Sequence, residues 1–343
     1  MWFIKAFITI IGQVKKEGII VLVLFFLPAI IFATYFLYRI ITRNKHISAQ
    51  AALVNTFLEI IRPKYFLKYV FANPPRTNSM LKPSTKFSNR YHTIYNSIDG
   101  TECITAKLRT METHIHIIYL HGGAYVLGKN GMKSNESFIS RLIEGTGAKV
   151  TFVDYPVAPE TRFQETLTRV YNVYQYLGKE YPDDVFMLVG DSAGGGLALS
   201  LAQMIREKPS VKPPRKLVLF SPWLDLSMGN PGIDLQEKKD MILSKRVLLY
   251  AAEQYADPSE FKNPLVSPIY GDLKCLGEVL VFFGSLELFY ADGLRMQRMT
   301  QDRPEFNYRF YMEMPHDWVL FPIPEASLAL QEAYKFILDQ LNE

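Results

Sequence analysis

Cysteine is almost absent from this chain: Cys103 and Cys275 are the only two in 343 residues. That excludes a disulfide framework and a cysteine-rich metal site, leaving room for one disulfide. Charge is scarce as well, at 21%, and 38 basic against 34 acidic residues give a net +4 with no basic block or stripe. The balance argues against a nucleic-acid partner. No internal repeat or low-complexity tract is present, which excludes solenoids and arrays. His114 and His116 share a strand face but find no third ligand nearby in sequence, so neither a metal nor a cofactor is expected. The sequon Asn135-Glu136-Ser137 is about what chance gives and says little about compartment.

What the chain does have is apolar mass: 48% of its residues are hydrophobic and 13% are aromatic. That suffices for one core of about 250–300 residues with something added. The addition lies at the front. Residues 18–38, GIIVLVLFFLPAIIFATYFLY, carry no charge, and a helix of that length crosses a hydrocarbon layer of roughly 30 Å. A signal peptide would have a shorter apolar region and a small-x-small cleavage site, and none is evident. Pro28 is tolerated in a membrane helix. We therefore expect a single-pass anchor over residues 1–44, its transmembrane helix at about 18–41. Lys5, Lys15 and Lys16 before the span balance Arg39, Arg43 and Lys45 after it, so orientation is open. The apolar residues 1–14 suit the membrane surface.

Helical spacing of Leu53, Phe57, Ile60, Ile61 and Phe66 follows over 47–71, and 72–85 reads as a proline-rich loop. Beyond residue 91, short apolar strands alternate with helical stretches. The strands expected are 115–120, 148–154, 185–190, 216–221, 278–284 and 306–312. The helices expected are 134–145, 164–178, 193–206, 290–302 and 325–341. Such alternation predicts a mostly parallel sheet covered by helices on both faces.

Within it, Gly190-Asp191-Ser192-Ala193-Gly194 stands where an apolar strand meets an alanine-rich helix. Gly-x-Ser-x-Gly at that junction is a nucleophile elbow: a turn too tight for flanking side chains that thrusts the serine above the sheet. A nucleophilic serine needs an oxyanion hole, a base and an orienting acid. The strand 115–120 runs into His121-Gly122-Gly123-Ala124. Gly122 and Gly123, with the N–H of Ala193, are the expected oxyanion donors. Of six histidines, only His316 follows Ser192. The loop after strand 278–284 offers Glu287 and Asp292; Glu287, closer to the strand end, is the expected acid. Asp292 suits the first turn of the next helix, and Asp317 is expected to be structural.

The set HGGA at 121–124, DYPVAPETRF at 154–163, GDSAGG at 190–195, SPWLDLS at 221–227 and PHDWVLFP at 315–322 resembles the hormone-sensitive-lipase-like branch of the α/β-hydrolases. The resemblance covers about residues 90–341. It implies an α/β-hydrolase fold with a helical cap, and a triad of Ser192, Glu287 and His316. It also implies an oxyanion hole of Gly122, Gly123 and Ala193. Ala124 replaces the third glycine of the usual HGGG, and a glutamate stands where aspartate is commoner. With its N-terminal anchor and His316-Asp317-Trp318, the chain looks most similar to fungal steryl acetyl hydrolases.

On that likeness, residues 45–90 form cap and linker, and 91–343 the catalytic domain with a cap insertion at 228–268. Asp154, Glu160 and Asp225 would buttress loops, and Trp223 and Tyr125 would pack. The implied activity is serine ester hydrolysis of lipophilic short-acyl esters such as sterol acetates, by a single-pass protein of the endoplasmic reticulum membrane. Two other readings stay open: a serine amidase or peptidase on the same fold, and a ligand-binding protein on an inactive hydrolase fold.

Overall fold

A computed structural model describes residues 46–75, 81–128 and 131–339. The expected membrane span at about 18–41 lies outside the described residues. No helix among the described residues is long and apolar enough to cross a membrane. The chain divides into two compact units, Met1–Ile60 and Ile61–Glu343. The described part of the first is essentially helix α1, Ala49–Ile61.

The helical pattern over 47–71 is broken in two, because Arg62 takes a left-handed backbone (φ +46°) and Pro63 follows it. Helix α2, Lys64–Ala72, starts there, and Pro74 and Pro75 prevent its continuation. Helix α3, Thr85–Arg90, is capped by Ser84, whose Oγ accepts from the N–H of Phe87 at 3.2 Å. It packs against the first strand.

Eight strands form one sheet: β1 Tyr91–Ile98, β2 Thr101–Leu108, β3 Ile115–Leu120, β4 Lys149–Asp154, β5 Val185–Asp191, β6 Lys216–Phe220, β7 Glu278–Gly284 and β8 Phe306–Tyr311. Their order is β1-β2-β4-β3-β5-β6-β7-β8. From β4 onward every pairing is parallel. β2 runs antiparallel to both β1 and β4. The β1–β2 hairpin turns at Asp99-Gly100, both with positive φ (+49° and +73°), as a two-residue type I′ loop requires. These two strands extend the sheet beyond the six expected from the sequence.

The central strands are buried on both faces, as their unbroken apolar runs demand. The covering helices are α4 Gly131–Thr146, α5 Phe163–Glu180, α6 Ser192–Arg206, α9 Tyr290–Met299 and α10 Pro324–Leu338. Strand order steps from β3 to β4 in one direction and from β4 back past β3 to β5 in the other. Right-handed crossovers therefore put α4 on the opposite face from α5 and α6. The packing agrees, since α4 meets α10 while α5 meets α6. Between β6 and β7 the insertion carries α7 Ile233–Glu237, α8 Lys245–Tyr255 and a 3-10 turn, Pro258–Glu260. α2 packs on α8, and Lys64 Nζ donates to the carbonyls of Glu237 (3.3 Å) and Asp240 (2.7 Å). Cys103 is buried and Cys275 exposed, and both are free thiols, so the room for one disulfide goes unused.

Candidate active site

All the chemistry-bearing loops leave the carboxyl ends of parallel strands, where a sheet of this topology opens its crevice. β5 ends at Asp191 and α6 begins at Ser192, whose φ of +51° is the strained left-handed backbone of a tight turn. A Cβ on Gly190 would lie 2.4 Å from the carbonyl oxygen of Gly194, and one on Gly194 only 2.0 Å from that of Leu120. Glycine is obligatory at both ends of the turn. Its product is a serine hydroxyl at the N-terminus of a fifteen-residue helix, with the Ala193 amide next in line.

His316 arrives from the loop after β8. That loop is pinned by Leu286 N–H donating to the Met314 carbonyl (3.0 Å) and by Arg141 Nη2 donating to the Val319 carbonyl (2.8 Å). The ring of Phe289 meets the imidazole edge-on at 5.2 Å between centroids. Ser192 Oγ lies 2.9 Å from His316 Nε2, and Glu287 Oε2 lies 2.8 Å from Nδ1. Glu287 is fully buried, and its other oxygen accepts from the Gly284 N–H at 2.8 Å. The structure thus brings Ser192, His316 and Glu287 into one hydrogen-bonded line. Asp292 is elsewhere engaged, its Oδ1 accepting from Asn230 Nδ2 at 2.8 Å.

Burial pushes the Glu287 carboxyl up to about 7, while the hydrogen bond from His316 pulls against it. Burial likewise disfavours the His316 imidazolium, but the charges and hydrogen bonds of Asp317 and Glu287 outweigh it and hold the ring well above its ordinary range. An imidazolium flanked by carboxylates is the state a general base reaches once it has taken a serine proton.

Asp317 departs from its expected role. Its Oδ2 lies 3.0 Å from His316 Nε2, the nitrogen that faces Ser192. A left-handed φ of +53° at Asp317 folds the side chain back over its neighbour's ring. Asp317 N–H donates to Ser221 Oγ at 3.3 Å.

The oxyanion region calls for a second correction. The N–H of Gly122 donates to Asp191 Oδ2 at 2.9 Å and is therefore spent inside the protein. Tyr119 OH donates to the other oxygen of Asp191 at 2.6 Å. The next two residues turn outward through positive φ, Gly123 at +122° and Ala124 at +54°. Among the described residues, neither of their N–H groups donates to a protein acceptor. Available donors next to Ser192 are thus those of Gly123, Ala124 and Ala193. His121 is a structural wall: burial lowers it to about 4, and it stacks on Tyr155 at 4.4 Å.

Sequence reasoning also passed over Asp240. It is buried in the insertion, accepting from the N–H groups of Ile242 and Leu243 through Oδ1 and from that of Leu288 through Oδ2, each at 2.8 Å. One carboxylate of the insertion therefore fixes the backbone beside Glu287. The only sequence signal was an acid placed directly before the apolar run Met241-Ile242-Leu243. Asp225 accepts from Ser227, Tyr270 and Arg295 and braces the loop after β6. Tyr125 and Trp223 are buried, with Tyr125 stacked on Tyr255 at 3.9 Å. His116 is consumed by Asp184 (3.0 Å) and Thr151 (2.7 Å). No cluster fit to hold a metal exists among the described residues.

Comparison with known proteins gives a family profile, described as α/β hydrolase fold, that matches residues 117–320. An esterase of Acinetobacter venetianus is 32% identical over 226 residues, 64% of this chain and 73% of that protein. An acetyl-hydrolase of Streptomyces hygroscopicus is 29% identical over 231 residues, 66% of this chain and 76% of that protein. Among solved structures, a hormone-sensitive lipase from a metagenome library superposes with a TM-score of 0.70 at 23% identity, covering 83% of this chain and 96% of that one. At that identity the superposition speaks for the fold.

Proposed function

This chain belongs to the α/β-hydrolase-fold family and is an esterase/lipase-like hydrolase, and from that premise we propose a membrane-anchored serine carboxylesterase of the hormone-sensitive-lipase-like branch. The observation that carries the chemistry is the line Ser192 Oγ, His316, Glu287, with contacts of 2.9 and 2.8 Å.

Ser192 Oγ attacks the ester carbonyl as His316 Nε2 takes its proton, and Glu287 stabilises the imidazolium through Nδ1–H. The N–H groups of Gly123, Ala124 and Ala193 receive the developing oxyanion, reinforced by the amino end of α6. Asp191 holds the turn that aims them by binding the Gly122 N–H. His316 then returns the proton to the alkoxide leaving group. Water, activated by the same histidine, releases the acid from the Ser192 acyl-enzyme.

The substrate class we propose is uncharged lipophilic esters with a short acyl group, sterol acetates first among them. The Streptomyces relative is an acetyl-hydrolase. The segments 45–90 and 228–268, which we assign as cap segments, are rich in Leu, Phe, Tyr and Met and hold no arginine cluster for an anionic head group. The apolar run 18–38 supplies the anchor, and the likeness to fungal steryl acetyl hydrolases points to the endoplasmic reticulum membrane. Purified full-length chain assayed on an acyl-chain series of one alcohol, beside a matched amide and a phospholipid, tests this reading. Fastest turnover on the acetyl ester is expected. Preference for the amide or the phospholipid would overturn it.

A further inference from the structure

Helix α2 leaves its aromatic face in water. Tyr65 and Phe66 are 68% exposed and Tyr69 is 72% exposed, on a helix with no acidic residue and with Lys68 among them. Exposure of this size on three aromatic rings of one short helix is unfavourable unless something apolar receives them. The insertion also exposes a large apolar side chain. Leu235 of α7 is 66% exposed, and Lys64 ties the two helices by donating to the Glu237 carbonyl.

The same lysine connects the patch to the reaction centre. Lys64 Nζ donates to the Asp240 carbonyl, and Asp240 Oδ2 accepts from the N–H of Leu288, the residue after Glu287. Lys64, the residue before Tyr65, is thus two hydrogen bonds and one peptide bond from the acid that orients His316. Ser192 itself is only 6% exposed, so an ester must enter past cap elements of this kind.

We infer that Tyr65, Phe66, Tyr69 and Leu235 form a surface that seats in a lipid monolayer and presents the mouth of the site to esters dissolved there. A membrane is the occupant that the residue types fit. Tyrosine and phenylalanine on a lysine-bearing helix favour the head-group boundary, and the 21-residue apolar run at 18–38 ends 26 residues before Lys64. That spacing ties α2 to the bilayer by a short tether and raises the local lipid concentration it meets. The inference rests on the membrane-anchored esterase reading above and deepens it by naming the face that meets the lipid.

The test uses the full chain in nanodiscs of phosphatidylcholine with a minor share of phosphatidylserine. In a Cys275→Ser background, an environment-sensitive fluorophore is placed at Phe66→Cys or, as control, at Asp302→Cys, exposed before the amino end of β8. A nitroxide on the lipid acyl chain should quench the Phe66 label severalfold and leave the Asp302 label unaffected. A Phe66 label that stays unquenched on nanodisc-bound chain, or equal quenching at both positions, overturns this face while leaving the anchor standing. Chain that does not enter nanodiscs at all overturns the membrane reading and the face with it. A Tyr65→Ser, Phe66→Ser, Tyr69→Ser variant should raise the apparent KM for a bilayer-dissolved ester about tenfold. Its kcat/KM on a water-soluble ester, which also reports folding, should match the parent. Equal KM values for the bilayer-dissolved ester would contradict the seating role.

Discussion

Asp317 Oδ2 lies 3.0 Å from His316 Nε2, on the side of the ring that faces Ser192 at 2.9 Å. Two oxygens thus compete for one nitrogen, and they favour opposite protonation states: the Ser192 hydroxyl donates to a bare Nε2, and the carboxylate accepts from Nε2–H. Ser192 needs Nε2 bare to receive its proton, whereas a carboxylate beside Nε2 favours the imidazolium. His316 is held well above its ordinary range, with Asp317 and Glu287 overcoming the effect of burial; Asp191 of the elbow and Asp240 of the insertion, both raised by burial, also face it. Ester hydrolysis requires the neutral ring, so the acid limb of the kcat/KM profile is displaced to higher pH by Asp317. Asp317→Asn should move that limb to lower pH, measured with an uncharged soluble ester. A limb that stays in place would show that Asp317 does not govern the base.

Glu287 and Asp292 are distinguished by what they touch. Glu287→Gln leaves His316 Nδ1 facing an amide and should cost roughly 10³- to 10⁴-fold in kcat with KM little changed. Asp292→Asn keeps the contact with Asn230 and should cost less than about tenfold. Steady-state kinetics of the two variants with one ester check the ranking. The reverse order would move the acid to Asp292.

The clamp on the oxyanion turn gives another prediction. Asp191 receives both the Gly122 N–H and the Tyr119 hydroxyl, so Asp191→Ala frees the turn that aims Gly123 and Ala124. About 10- to 100-fold loss in kcat with nearly constant KM is expected, because the donors act on the transition state. A change confined to KM would place Asp191 in substrate binding instead.

Buried carboxyls also set how stability varies with pH. Burial raises Glu287, Asp191 and Asp292 to about 7 each. A carboxyl raised in the folded state contributes stability that is present below its unfolded value and lost as pH climbs through its folded value. The protein should therefore lose stability between about pH 4 and pH 7 from these groups, by on the order of a few kcal/mol each. Asp292→Asn removes one of them. Its thermal midpoint should lie close to the parent's near pH 4 and exceed it near pH 8. Equal midpoints at both would show that Asp292 is not held neutral by its surroundings.

Legibility in the sequence followed burial. β3, β5, β6 and β7 are buried on both faces and read as unbroken apolar runs, and their bounds lie within about one residue of expectation. β1 and β2 escaped notice because neither is an unbroken apolar run: Tyr91–Ile98 mixes His92, Thr93, Asn96 and Ser97 with Ile94, and Thr101–Leu108 mixes Glu102 and Lys107 with Ile104. The Asp99-Gly100 turn was the signal to use. The grouping of Ser192, His316 and Glu287 needed only chain order, since each follows a different strand end. Two features needed coordinates. Whether Gly122 or Ala124 points its N–H at the site depends on a run of positive φ that no residue type reveals at Ala124. Asp317 reaches back over His316 only because its own backbone is left-handed, a conformation uncommon for any residue with a side chain.

Ester hydrolysis by this chain depends first on Ser192 as the acyl-accepting nucleophile. The most direct measurement is covalent labelling of the full-length chain with a fluorophosphonate, followed by mass mapping of the adduct. A single adduct on the peptide containing Ser192 is predicted, absent from Ser192→Ala, whose ester turnover should fall by about four to six orders of magnitude. Labelling that persists undiminished in Ser192→Ala, or an adduct mapped to another residue, would contradict it.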